Sequence, residues 1–248
     1  TGQSDVFWHN AGVMGKDLAA VDSVVLSHGH YDHTGGLLSL ARFNGSPLVI
    51  GHKDVFAPRF KKQVNGSLKY IGCPCTQAHL ESRGLKFKFV PSHFEVAPDV
   101  FYVSEVPREN DFEKGDPLLV VRDDRGKAVP DPFMDDAALY LRTPEGLVVV
   151  LGCSHRGVIN ILKRILTLEG GVPIFTIIGG THLSRVGAEQ TRKTIGALRE
   201  INPRAIGVSH CTGLEVADEM KKVFGDRFFR ATAGTVITIN EEGGVAIQ

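Results

Sequence analysis

Residues Ser27-His28-Gly29-His30-Tyr31-Asp32-His33-Thr34-Gly35-Gly36 constrain this chain more than any other stretch. Three imidazoles and a carboxylate, all good metal ligands, lie between positions 28 and 33. The preceding run, Val21-Asp22-Ser23-Val24-Val25-Leu26, reads as a short buried strand. The following run, Leu37-Leu38-Ser39-Leu40-Ala41-Arg42, reads as the first turns of a helix. The cluster therefore sits on a strand-to-helix loop, where rigid elements commonly mount site residues.

The spacing has a direct chemical meaning. His28 and His30 are two apart, so in an extended segment both side chains leave the same side and can grip one ion. Asp32 and His33 fall where the chain turns into the helix, within reach of a second ion. Two metals about 3.5–4 Å apart bind and ionise a bridging water. A single ion with Asp32 behind its ligands is the other arrangement this loop allows. Gly35 and Gly36 permit close backbone approach as the helix begins.

Composition narrows the class. At 248 residues the chain suits one large domain or two small ones, and 42% apolar residues allow a substantial core. The formal net charge is zero with acids and bases mixed, which argues against a broad nucleic-acid or membrane-binding surface. No apolar run approaches the roughly 20 residues that span a bilayer. Four cysteines in a chain this long do not form a disulfide framework, and a reducing cytoplasm is the simplest reading.

Strands and helices alternate, which predicts an α/β class. Strands are expected at 47–51, 85–90, 101–103, 118–122, 174–178, 205–208 and 236–239. A hairpin is expected from 137–142 and 147–151. Helices are expected at 76–83, 158–168, 188–201 and 214–224, with a helical or irregular stretch from 52 to about 70. Residues 108–136, rich in charge, Gly and Pro, read as an insertion with its own hairpin in a single domain spanning 1–248.

Further histidines stand at predicted strand ends beside small residues: His155 in Gly-Cys-Ser-His-Arg-Gly, His182 in Gly-Gly-Thr-His-Leu and His210 in Ser-His-Cys-Thr-Gly. Such positions converge on one rim of an α/β sheet. Asp135 and Asp136 lead into a strand and read as a structural turn. His9 and His79 carry no signal, and His52 follows a strand end. Cys73 and Cys75 lack a partner pair with zinc-ribbon spacing.

The HxHxDH pattern after a short apolar strand resembles the metallo-β-lactamase superfamily. That resemblance implies a four-layer αβ/βα sandwich with two divalent metals at one edge. The segments around His155, His182 and His210 resemble one branch of it. That branch carries the name 7,8-dihydropterin-6-yl-methyl-4-(β-D-ribofuranosyl)aminobenzene-5'-phosphate synthase and includes uncharacterised metal-dependent hydrolases. The resemblance implies His28, His30 and His155 at one metal, and Asp32, His33 and His210 at the other. Asp32 or His182 would move the proton. The usual third-motif histidine is not evident; Glu105 or His93 stands in its place, and Cys153 replaces the usual bridging aspartate. Members have two or three strands before the loop. Thr1-Gly2-Gln3-Ser4 resembles the turn after those strands, so an N-terminal portion is expected to be missing.

The implied activity is hydrolysis of a phosphorylated or ester-type small molecule, with zinc first and iron or manganese as alternatives. A synthase joining a dihydropterin to a ribofuranosylaminobenzene phosphate is the second reading, and a di-iron redox protein a third. Arg108, Lys114, Arg156 and Arg185 are candidate phosphate contacts. Phe94, Phe112 and Phe133 are candidate pterin supports. Oligomeric state has no sequence signal.

Overall fold

The computed structural model describes residues 1–42, 47–239 and 245–248. The chain forms two compact units. The first comprises Thr1–Pro91 and Asp116–Asp135; the second comprises Ser92–Gly115 and Asp136–Gln248.

The first unit contains a parallel sheet of Ser23–Val25, Leu48–Gly51 and Lys86–Phe89, with Leu48–Gly51 in the middle. Its register places Val24 opposite Val49 and Val49 opposite Phe87. Leu26, Leu37, Leu40, Val49, Val55, Leu80 and Leu85 bury their side chains together. The Gln77–Ser82 helix brings Leu80 to this cluster; it starts at Thr76, whose side chain accepts from the His79 N–H at 3.2 Å. Leu37–Leu40 is a single helical turn, shorter than the run to Arg42 suggests. A separate turn of helix, Tyr31–Thr34, precedes it. The helix Val6–Val13 had no counterpart among the sequence expectations.

Residues 52–70 are only in part the helical or irregular stretch expected: Lys53–Phe56 is a short helical turn, but two strands follow. Phe60–Lys62 and Leu68–Tyr70 pair as an antiparallel hairpin. Three of these six residues are lysines, so no apolar alternation announces the strands. Backbone pairing carries them instead. The hairpin Leu119–Arg122 with Ala128–Pro130 joins them in a four-stranded sheet, Phe60 lying opposite Val120. Ile71, Leu119 and Phe133 are buried together in a small cluster, with Tyr31 packed against it.

The second unit is built on a seven-stranded sheet. Its order is Phe228–Arg230, Ala205–Val208, Ile174–Gly179, Gly146–Leu151, Ala138–Thr143, Val100–Val103, His93–Ala97. The first four strands run parallel and the last three join by antiparallel pairing. Parallel neighbours need crossover connections, which the helices Val158–Leu168, Ala188–Ile201 and Leu214–Phe224 supply. Their apolar faces and the inner strands form one core, including Leu147, Val149, Ile161, Leu162, Ile165, Ile177, Leu198, Ile206 and Met220. His93 opens the strand His93–Ala97.

Two features of this unit carry local polar logic. The Val158–Leu168 helix follows Gly157 at φ 99°, and the buried Glu113 carboxylate accepts from the Ile159 and Asn160 N–H groups, each at 2.9 Å. Such a carboxylate satisfies orphan donors at the positive end of the helix. Burial raises the Glu113 pKa despite those bonds. Among the described residues no helix is long and apolar enough to cross a membrane.

Candidate metal centre

In the first unit the loop after Ser23–Val25 carries the histidine cluster. His28 is fully buried and His30 nearly so. His28 Nε2 and His30 Nδ1 lie 3.0 Å apart, and the ring centroids are 4.7 Å apart at 78°. The His28 and His33 rings are closer still, at 4.1 Å. His33 Nε2 stands 3.8 Å from Asp32 Oδ2, at the more open side of the group. Ser27 Oγ lies 3.1 Å from His28 Nδ1 and 3.3 Å from His33 Nδ1. With Ser27 accepting from His28 Nδ1–H, the Nε2 lone pair is left for a ligand.

The backbone of this loop is held from several directions. His30 begins the Tyr31–Thr34 turn, and Thr34 Oγ1 donates to the His30 carbonyl at 2.9 Å. The N-terminal amine and the hydroxyl of Thr1 both donate to the His33 carbonyl, at 2.9 and 2.8 Å. A Cβ at Gly35 would collide with the Gln3 carbonyl, and one at Gly36 with the Thr1 carbonyl. Close approach explains both glycines. The Gly29 N–H donates to Asp135 Oδ2 at 2.8 Å, and Asp135 Oδ1 accepts from Arg59 Nη2 at 2.5 Å. Asp135 is thus a brace for the loop, a structural role as expected. Arg59 was not singled out in the sequence; a lone arginine normally signals surface.

In the second unit three adjacent parallel strands deliver the other candidates at their C-terminal ends. Cys153 and His155 follow Gly146–Leu151, His182 follows Ile174–Gly179, and His210 follows Ala205–Val208. Cys153 and His155 are buried, His182 is half-buried and His210 is exposed. The ligand atoms of Cys153, His155 and His182 lie within 4.8 Å of one another, and so do those of Cys153, His210 and Cys211. The His155 and His182 rings are 4.3 Å apart. Three non-glycine residues here, Ser154, His182 and His210, hold positive φ of 62°, 52° and 53°. Such strain persists only where the surroundings over-determine it, and it clusters at functional sites. Hydrogen bonds tie these strand ends together: Ser154 Oγ to the Gly180 carbonyl at 2.8 Å, and Thr181 Oγ1 to Thr212 Oγ1 at 3.0 Å. A cavity of about 380 Å³ opens beside His210, lined also by Ser209, Thr212, Leu214, Ala217 and Arg230.

The donor chemistry fits a divalent cation. Both ring nitrogens of His182 are buried without a hydrogen-bond partner among the described residues, as is Asp136 Oδ1. The hydrogen bond from Cys153, reinforced by His182 and His210, holds the Cys211 thiol down to about 5. Sulfur and imidazole nitrogen side by side make a ready set of ligands for a soft or borderline cation.

Asp136 departs from the structural turn read in the sequence. It is fully buried beside His155 and His182, and its Oδ2 accepts from the Arg156 N–H at 2.8 Å. Burial pushes its pKa up to about 6, from 3.8. The adjacent carboxylates Asp135 and Asp136 therefore do different work, and nothing in a pair of neighbouring aspartates distinguishes them. The consequence has a sign. Between pH 3.8 and 6 the folded chain holds a proton that the unfolded chain has lost, so stability falls as pH rises through that window. The drop is about 3 kcal/mol for the metal-free protein. Asp136→Asn should flatten that slope. Urea unfolding of metal-free wild type and variant at pH 4 and pH 7 measures it, and equal slopes would contradict the assignment.

Other candidates are placed elsewhere. His93 Nε2 bonds to Tyr140 Oη at 2.7 Å and stacks on Phe101 and Tyr140. Buried His52 accepts from the Asp54 N–H at 3.1 Å and so caps a short helical turn. Glu105 is exposed with φ 51°. Arg108 Nη2 donates to the His155 carbonyl at 3.0 Å and Arg156 Nε to the Val106 carbonyl at 2.6 Å. These two arginines brace the rim, whereas Lys114 and Arg185 are exposed. Phe133 is core in the first unit, edge-on to His30 at 5.5 Å, and Phe112 packs on the core of the second. Phe133 has no open ring face for a pterin.

A family model described as a beta-lactamase superfamily domain matches residues 2–101. The crystal structure of a metal-dependent hydrolase of the beta-lactamase superfamily is 31% identical, with a TM-score of 0.81. That likeness covers 94% of this chain and 85% of the other. The 7,8-dihydropterin-6-methyl-4-(beta-D-ribofuranosyl)-aminobenzene-5'-phosphate synthase of Methanocaldococcus jannaschii is 28% identical over 221 residues, 88% of this chain and 75% of that protein. An uncharacterized protein of the same organism is 27% identical over 224 residues, covering 88% and 78%. The chain belongs to the metallo-β-lactamase superfamily and has its fold.

Proposed function

We propose that the chain is a two-metal hydrolase of a phosphorylated or ester-type small molecule, with one catalytic domain spanning residues 1–248. The observation that carries this is the 3.0 Å approach of His28 Nε2 to His30 Nδ1, two buried imidazole nitrogens poised on one side of a braced loop. The proposed ligands are His28, His30 and His155 for one ion, and Asp32, His33 and His210 for the other, with zinc first. The ions supply Lewis-acid polarisation of a substrate oxygen and a water of lowered pKa.

The chain's own residues do the rest. Asp32, with a side chain 30% exposed beside His33, is placed to accept a proton. His182, with two unbonded ring nitrogens among the described residues, is placed to carry one to a leaving oxygen. The cavity beside His210 is of the size that admits a small molecule. Four free thiols suit a reducing cytoplasm.

The likeness to a named synthase supports a second reading, bond formation between a dihydropterin and a ribofuranosylaminobenzene phosphate. The core position of Phe133 weighs against an aromatic platform from that residue.

Metal analysis tests the assignment. Protein purified without chelator is expected to hold about two divalent ions per chain. His28→Ala and His210→Ala should each lower that content, and unchanged content in both overturns the ligand set. Phosphodiester and lactone hydrolysis assays, run beside a pterin-coupling assay, separate the two reactions. Activity that survives complete chelation would sink both.

A further inference from the structure

We propose that Cys153 and Cys211 join His210 in holding a thiophilic divalent cation, zinc first. This rests on the reading above that His210 is a metal ligand, and adds two thiolates to it. The family-derived set contains only nitrogen and oxygen donors.

The geometry is nearly closed already. The three ligand atoms lie within 4.8 Å of one another. Zinc–sulfur bonds of about 2.3 Å and zinc–nitrogen bonds of about 2.0–2.1 Å put tetrahedral ligand edges at about 3.3–3.8 Å. The side chains must therefore close by no more than about 1.5 Å, a rotamer adjustment rather than a backbone rearrangement.

The surroundings of Cys211 are those of a metal thiolate. The His182 N–H donates to its Sγ at 3.3 Å. Backbone donors of this kind support charge on a ligating sulfur. Cys211 Sγ also lies 3.5 Å from the Cys153 carbonyl oxygen, which accepts from the thiol when it is protonated. A bound cation would hold the sulfur as thiolate, with any remaining proton going to solvent. Gly180 makes room for the sulfur, since a Cβ there would stand 2.7 Å from Cys211 Sγ. Cys153 lies on the neighbouring strand end, buried at 3% exposure, and its sulfur is common to both ligand groups of this unit. His210 lines the cavity of about 380 Å³, which leaves the cation reachable from that side.

Two thiolates select the ion. Such a set favours zinc, and in substitution cobalt or cadmium, over magnesium or manganese. It also explains why cysteines stand at these strand ends although the chain forms no disulfide.

X-ray absorption at the zinc edge of the full, zinc-loaded chain tests this without any substitution. A sulfur shell near about 2.3 Å, beside nitrogen and oxygen near about 2.0–2.1 Å, is expected. Cys211→Ser should remove part of the sulfur amplitude and weaken zinc binding by roughly tenfold or more. Zinc bound through nitrogen and oxygen alone overturns the thiolate assignment and leaves the two-metal reading standing. A chain that takes up no zinc, cobalt or manganese overturns that reading first, and this one with it.

Discussion

Arg59→Leu is expected to destabilise the protein by at least about 3–5 kcal/mol, the largest loss available from one substitution in the first unit. Arg59 is 2% exposed, and its guanidinium reaches two carboxylates that are themselves buried. Nε donates to Asp131 Oδ2 at 2.9 Å, Nη2 to Asp135 Oδ1 at 2.5 Å and Nη1 to the Asp54 carbonyl at 3.0 Å. Truncation leaves two buried carboxylates without their cation. The variant's unfolding midpoint in urea should collapse, or it should accumulate as insoluble protein. Asp131→Asn keeps the Asp135 contact and a neutral acceptor, so it should cost less. A Leu variant as stable as wild type would show that the triad is balanced by its own desolvation.

Gly29→Ala is expected to cost about 3 kcal/mol and to weaken metal binding by at least about a hundredfold. Gly29 separates the two paired histidines, and a Cβ there would overlap the Val55 carbonyl oxygen and the Arg59 guanidinium. Neither neighbour can move freely. Val55 is buried at 1% exposure, and Arg59 is held by three groups. The loop must shift instead, and its Gly29 N–H bond to Asp135 goes with it. His28 and His30 then lose the 3.0 Å approach. Zinc titration of the purified variant, paired with its thermal melt, measures both effects. Normal affinity would mean that the loop can be displaced without disturbing its ligands.

Much of the architecture was legible because hydrophobic period and punctuation agree locally. Val158–Leu168, Ala188–Ile201 and Leu214–Phe224 fall on the predicted residues, each with a one-sided apolar face. The strands Leu48–Gly51 and Ile174–Gly179 are apolar runs bounded by proline and glycine, and Ala205–Val208 starts two residues after Pro203. The Phe60–Lys62 and Leu68–Tyr70 hairpin was not legible, since its lysines mask a strand held by pairing. Cys211 and Asp136 were not legible as site candidates either. Each is defined by what lies beside it from another strand end, and single residues carry no mark of that.

The sequence by itself determined the superfamily, the histidine-rich loop and the strand-end histidines. Those are local statements: a ligand spacing, an apolar run, a glycine where the backbone needs one. Only the tertiary structure decided that Arg59, Asp131 and Asp135 form a buried brace beneath Gly29, that Asp136 is a buried carboxylate whose pKa burial raises, and that Cys153 and Cys211 meet His210. Each of these depends on burial and on long-range approach. Desolvation and charge pairing arise between segments far apart in the chain, so no local pattern can encode them.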